Sequence, residues 1–339
     1  MKKLLLLVAF AVMICSAAFA GWDKTFALSD KVEHKKVNFY NRLGINISAD
    51  VYMPKSRLEN KKLPAIVVGA PWGAVKEQAA GLYAEKLAEQ GFITLAFDPS
   101  YTGESGGTPR GVALPQVWVD DFSAALDYLN NQAEVDSSHV GVLGIGSGGS
   151  AAVGAAAVDP RFKAVALINL EDKGRIARLG YDDVYSPQDF QAHLEEIADQ
   201  RLKEFNGADR KPVLAVPEEY SEDNSLMANE LFSYYRTKRG YHPRFVNPLI
   251  ADGASWVSFY PLSQFDMITP RPVFFIIGEK AYSRYFSEDA FVSAQDPKEL
   301  KIIEGAGHTD LYDNEQYMPI ENLKVFFSNT LKDDSWQQM

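Results

Sequence analysis

Two residue types in this chain could together do acyl chemistry: a serine in "VGVLGIGSGGSAA" (residues 140–152) and a histidine in "GAGHTDLYD" (residues 305–313). A serine hydroxyl deprotonated by an imidazole attacks a carbonyl. A carboxylate then holds the imidazole in place, and backbone N–H groups receive the charge on the oxygen. Ser147 and His308 are the candidates for the first two roles; His308 follows the last strand-like segment on a glycine-flanked loop. For the carboxylate, Glu279 stands just beyond the apolar run "VFFIIG", while Asp310 is a local alternative that either orients the imidazole or fixes its loop. An apolar run closed by glycines and followed by small residues is a buried strand, a sharp turn and a helix. Two chemistries use that geometry: the nucleophile elbow G-x-Nu-x-G and the dinucleotide-binding turn G-x-G-x-x-G. Gly144-Ile145-Gly146-Ser147-Gly148-Gly149 satisfies the second, with Glu171 and Asp172 placed after the next strand as ribose-binding acids would be. Against it, the turn follows the fifth strand-like segment instead of the first, and an exported chain would have to find its nicotinamide or flavin outside the cytoplasm.

The elements that must position these groups alternate along the chain. "KKVNFYNRLGINISADVYMP" signals a hairpin, with Pro54 ending its second arm. Buried strands are expected at 63–70, 92–98, 162–170, 271–279 and 298–308, and helices at 74–91 and 114–132. A mainly parallel sheet with helices on both faces is the architecture such alternation makes. From about Glu171 to Tyr260 the pattern turns to polar, aromatic-rich helical segments, which read as a cap inserted between the sixth and seventh strands, over the carboxyl ends where pockets form. "MPIENLKVFFSNTLK" closes the chain as a helix.

Long strings resemble the α/β hydrolases of the bacterial dienelactone-hydrolase-like group: "GAPWGAVKEQAAGLYAEKLAEQGFITLAFDPSYTGESGGTPR", "DDFSAALDYL", "RGYHPRFVN", "GEKAYSRYFSEDAF" and "GAGHTDLYD". The resemblance implies an α/β-hydrolase fold with a helical cap, His308 as general base, and an ester, lactone or related acyl substrate. It sets the elbow with Gly144 first and Gly148 last, which puts Gly146 where the resemblance implies cysteine or serine. Glycine has no side chain to attack with. The oxyanion N–H groups implied are those of Ser147 and of Trp72 or Gly73 in "GAPWGAV". Ser147 becomes the nucleophile only if the turn shifts by one residue, which puts Ile145 in a glycine place; otherwise it caps the helix. Ser150 lies deeper in that helix, as packing. Tyr101 and Trp72 are expected as pocket walls, with His242 and Arg244 closing from the cap side. Asp98, Glu104 and Ser105 either line the mouth or hold the loop after the fourth strand.

Composition bounds the rest. "MKKLLLLVAFAVMICSAAFA" reads as a cleavable secretory signal, so a periplasmic or extracellular protein starting near Gly21 is expected, without a stable membrane anchor. The expected organisation is signal 1–20, hydrolase core 21–170, cap 171–260 and hydrolase core 261–339. Cys15, the one cysteine, leaves with the signal; the five histidines, at 34, 139, 193, 242 and 308, have no metal-ligand spacing. No cofactor or metal is expected. Losing Lys2 and Lys3 takes the formal charge from −11 to −13, which argues against nucleic acid or an anionic membrane as partner. Three outcomes remain: an acyl hydrolase using Ser147, His308 and Glu279; a hydrolase in which His308 activates water directly; and a non-catalytic small-molecule-binding protein on the same fold.

Overall fold

A computed structural model describes residues 22–58, 61–213 and 215–331. The expected secretory signal, with Cys15, lies outside the described residues. Eight strands form one sheet in the order β1-β2-β4-β3-β5-β6-β7-β8. β1 (Val32–Tyr40) and β2 (Asn46–Pro54) are the expected hairpin, antiparallel to each other, and β2 runs antiparallel to β4 (Ile93–Phe97). From there the sheet is parallel through β3 (Leu63–Gly69), β5 (Val135–Ile145), β6 (Phe162–Ile168), β7 (Val273–Gly278) and β8 (Lys298–Ile303). The central strands are covered on both sides, which is why they read as unbroken apolar runs instead of alternating ones.

One face is packed by α2 (Pro115–Asn130) and α3 (Gly148–Val158) through Trp118, Phe122, Ala152 and Val153. The other is packed by α1 (Ala79–Glu89) and the closing helix, Ile320–Thr330, through Tyr83, Leu87, Leu323 and Phe327. α1 starts five residues later than its periodicity suggests. Residues 74–78 are held as a loop because Val75 N–H donates to the Gln78 side chain (2.9 Å) and Lys76 N–H to Asp98 (2.8 Å).

The connection from β6 to β7 carries α4 (Lys173–Leu179), α5 (Pro187–Phe205), α6 (Leu226–Tyr235), α7 (Gly253–Val257) and α8 (Phe265–Ile268). It folds back over the carboxyl ends of the strands. Val246 N–H donates to Gly73 O (3.1 Å), and a Cβ on Gly73 would lie 2.0 Å from Val246 O, so only glycine lets the two loops meet so closely. After β7 come α9 (Arg284–Ser293), β8, a single turn α10 (Asp310–Asp313) and the closing helix, α11. Among the described residues no helix is long and apolar enough to cross a membrane.

Candidate functional site

The β5–α3 turn is an elbow in the expected register. Gly146 has φ +56°, the left-handed region that a nucleophile's backbone would have to be forced into, whereas Ser147 is right-handed at φ −69°, ψ −20°. The turn is not shifted by one residue. A Cβ on Gly144 would stand 2.5 Å from Gly149 Cα, so strand and helix meet there with no room for a side chain. A Cβ on Gly146 would meet the Tyr312 hydroxyl at 2.7 Å. The space a nucleophile would occupy therefore holds a phenolic oxygen from α10.

Ser147 is buried, and its Oγ neither caps α3 nor reaches His308: it accepts the Trp72 N–H at 2.6 Å. The expected cap is not formed, and the partner of the hydroxyl is one of the N–H groups that the resemblance implies for the oxyanion. Ser150 donates to Glu171 O (2.5 Å) and packs inside α3's first turns.

His308 is fully buried on the loop between β8 and α10. Three groups hold that loop: Glu230 of α6 accepts His308 N–H (2.6 Å), Asn169 donates to His308 O (2.7 Å), and Asp310 accepts Gly307 N–H (2.9 Å). Asp310 is therefore a loop-fixing residue. The ring itself is held by two hydroxyls, Ser283 on Nδ1 (2.6 Å) and Tyr312 on Nε2 (2.7 Å), and Tyr282 stacks on its face with centroids 4.3 Å apart. Burial, with a smaller push from Lys173, lowers the imidazole to about 4 against a partial pull from Glu171. At neutral pH the ring is uncharged, so it donates to one hydroxyl and accepts from the other.

Glu279 stands apart from this arrangement. It is exposed, and its carboxylate accepts Gly305 N–H at 2.8 Å, because the chain leaving β7 turns it toward the β8 loop. The partner of Nδ1 is Ser283, four residues later, an uncharged group in an orienting position.

The buried carboxylate near the ring is Glu171. Its Oε1 accepts from Tyr181 (3.2 Å) and Tyr282 (3.1 Å), and its Oε2 pairs with Lys173 at 3.0 Å. Burial pushes this carboxyl up, but Lys173, His308 and the tyrosine bond together bring it below the usual range, so it is ionised. Glu171 is thus enclosed rather than offered to a ribose, and Asp172 caps α4 by accepting Arg175 N–H (2.8 Å).

Two cavities meet at Lys173. A small one of about 30 Å³, lined by Pro71, Ser147, Glu171, Tyr235, Tyr282 and Tyr312, has room for a water molecule or two. The other, about 450 Å³, lies between Trp72, α4 and α7 and shares Trp72, Lys173 and Tyr181 with the first. Two open, charged depressions, one containing Glu33 and Arg57 and the other Lys62 and His139, lie at the amino ends of β3 and β5, away from all of these groups.

Trp72 and Gly146 lie at this site, and Gly73 supports it through Val246. Tyr101 does not line either cavity; its ring lies against Gly107, where a Cβ would come within 2.4 Å. Asp98 and Glu104 converge with Glu77 in a geometry that would suit a cation, but the Lys76 ammonium is already there, at 2.8, 2.7 and 2.6 Å respectively. Ser105 bonds Asp98 O (2.6 Å), and His242 and Arg244 bind Asp23, so this group holds the loop after β4.

Residues 44–175 match the X-Pro dipeptidyl-peptidase (S15) family. An uncharacterized Pseudomonas aeruginosa protein, PA2218, is 46% identical over 319 residues, covering 91% of this chain and 84% of that one; its crystal structure superposes with a TM-score of 0.88 over 92% of this chain and 98% of that one. YcjY of Escherichia coli K12 is 34% identical over 88% of this chain and 99% of its own length. The structure of DcsB in complex with its substrate analogue shares the fold, with a TM-score of 0.75 at 21% identity over 89% of this chain and all of that one. This chain belongs to one family with PA2218 and YcjY, and its fold is that of the α/β hydrolases.

Within that fold the β5–α3 turn is an elbow with Gly146 at its apex, His308 stands on the loop after β8, and Trp72 on the loop after β3. Ser283 and Tyr312 escaped the sequence argument. Tyr312 had a local signal, since it lies four residues after His308 with a helical turn between them, a spacing that puts two side chains on one face. Ser283 had none, because its loop meets the β8–α10 loop only through the order of strands in the sheet.

Proposed function

We propose that this protein binds a small acyl-type molecule on a hydrolase scaffold whose covalent route is disarmed. The observation that carries the reading is the Tyr312 hydroxyl standing 2.7 Å from where a Cβ on Gly146 would be, bonded to His308 Nε2. Covalent acyl transfer needs a nucleophile at that point with the imidazole free to take its proton. Here the point is filled by a phenol whose ionisation burial strongly opposes, and the nearest serine is tied to Trp72. The adjoining cavity of about 450 Å³ is the room left for a ligand.

Intact mass after exposure to a serine-reactive fluorophosphonate tests this. The folded wild type should gain no adduct, and Gly146→Ser combined with Tyr312→Phe should gain one. An adduct on the wild type that vanishes in Ser147→Ala would overturn the reading and make Ser147 a working nucleophile.

The first twenty residues further support export to the periplasm or beyond. Mature protein from a fractionated bacterial host should start at Gly21 and leave with the periplasmic contents; retention of an intact amino terminus in the cytoplasm would count against it.

A further inference from the structure

The large cavity has an apolar wall and, at the end it shares with the small cavity, the buried Lys173 ammonium paired with Glu171. Ile176, Ala177, Val213, Leu249, Ile250 and Trp256 supply most of the apolar surface. Lys173, whose side chain is 8% exposed, closes the end shared with the small cavity. Two of its three protons are committed, one to Glu171 Oε2 (3.0 Å) and one to the Tyr181 hydroxyl (3.0 Å). Among the described residues the third has no acceptor. The ammonium also lies 5.1 Å from the centre of the Trp72 ring and 5.5 Å from that of Tyr181, contacts that favour a cation without satisfying its hydrogen bond.

Resting on the proposed function above, we infer that the Lys173–Glu171 pair makes this cavity selective for uncharged carbonyl compounds over the corresponding carboxylates. The carbonyl oxygen of an ester or lactone takes the remaining Lys173 proton while its hydrocarbon part fills the apolar wall. A neutral acceptor loses little hydration on entering and meets a donor with no acceptor of its own. An anion gains less. The charge of Lys173 is already balanced by Glu171, so a bound carboxylate is attracted by one and repelled by the other while giving up the strong hydration of its charge. The groups at the cavity's outer wall, His193, Glu196 and Lys211, leave it without an excess of positive charge to offset that loss. The pair therefore holds a donor in an apolar place while hiding its charge.

Calorimetric titration with δ-decalactone and with 5-hydroxydecanoate, its ring-opened acid, compares one carbon skeleton in both states. The wild type should bind the lactone at least about tenfold more tightly than the acid. Glu171→Gln leaves Lys173 unbalanced and should reverse the order. Should that variant fail to fold, the charge-free pair Lys173→Met with Glu171→Gln, which removes the donor, should weaken lactone binding about tenfold while leaving the acid bound no more tightly than before. Equal or tighter binding of the acid to wild type, no binding of either ligand, an unchanged preference in folded Glu171→Gln, or an unchanged lactone affinity in the folded double variant would overturn the inference. Turnover of the lactone into acid, followed by chromatography, would instead sink the disarmed-site reading, and the selectivity would then be judged from KM against inhibition by the acid.

Discussion

Two buried polar clusters lie near the carboxyl ends of the strands, and they are built on opposite terms. Around Lys76, charges meet charges: its ammonium touches Glu77, Asp98 and Glu104 within 2.8 Å, and Arg244 joins Glu77 (2.9 Å) and Asp23 (2.7 Å). Burial alone would strip the charge from Lys76, but the surrounding carboxylates keep it protonated; Glu104 is held at about 2, the effect of its own partial burial outweighed by Lys36 and Lys76. Around His308, neutral groups meet neutral groups: two hydroxyls, an uncharged ring and stacked tyrosines, with one ion pair at the edge. The first cluster is knit by ion pairs, with Glu77 Oε2 and Arg244 Nε left without a hydrogen-bond partner among the described residues; the second borders two cavities and has a donor to spare. A network of opposite charges drawn from several loops fixes those loops, whereas a donor left without an acceptor beside a cavity can recognise something.

Lys76→Met should strike the first cluster hardest, by leaving buried carboxylates without their cation. A loss of about 3–5 kcal/mol in denaturant unfolding is expected, and a loss under about 1 kcal/mol would mean that the network contributes little.

The second cluster should show itself in pH. His308 is lowered from 6.5 to about 4 in the folded protein, so between those values the unfolded chain binds a proton that the folded chain refuses. Its contribution is complete above about 6.5 and is lost as pH falls toward 4. Subtracting a His308→Gln variant from wild type removes the carboxylate terms common to both, and the difference should grow by up to about 3 kcal/mol from pH 4 to 6.5. A flat difference would mean that the ring is not held neutral by burial.

Ser283→Ala should cost about 1–2 kcal/mol, since it strands Nδ1 in a buried place. Ser283→Asp, in the Gly146→Ser and Tyr312→Phe background, should speed fluorophosphonate labelling by restoring an anionic partner to the ring. The smallest effect belongs to Ser147→Ala. It should change stability by about 1 kcal/mol or less and, by freeing the Trp72 N–H, tighten lactone binding by severalfold, whereas weaker binding would make the Ser147 hydroxyl itself a ligand contact.

Much of the frame was legible from residue order. The apolar runs become the sheet strands, the glycines around residue 146 become an elbow in the expected register, and His308 lies on the loop after β8. The departures are instructive. Helical periodicity at 74–91 overran into a segment captured by Asp98 from β4, because a long-range carboxylate outcompeted local propensity. Glu279 is the carboxylate after the right strand, but the turn that follows β7 directs it to Gly305. Tyr101 has the right chemistry for a wall and spends it on Gly107.

By itself, the sequence determined the absence of a side chain at the elbow and the alternation that makes a parallel sheet, since both depend only on residue type and local period. The tertiary structure alone decided what fills the vacated point and what holds the ring. Tyr312 reaches Gly146 from a different strand end, Ser283 reaches His308 from 25 residues away, and Tyr282 reaches Glu171 across 111. Such contacts arise from strand order and loop packing, which bring together groups with no spacing rule between them.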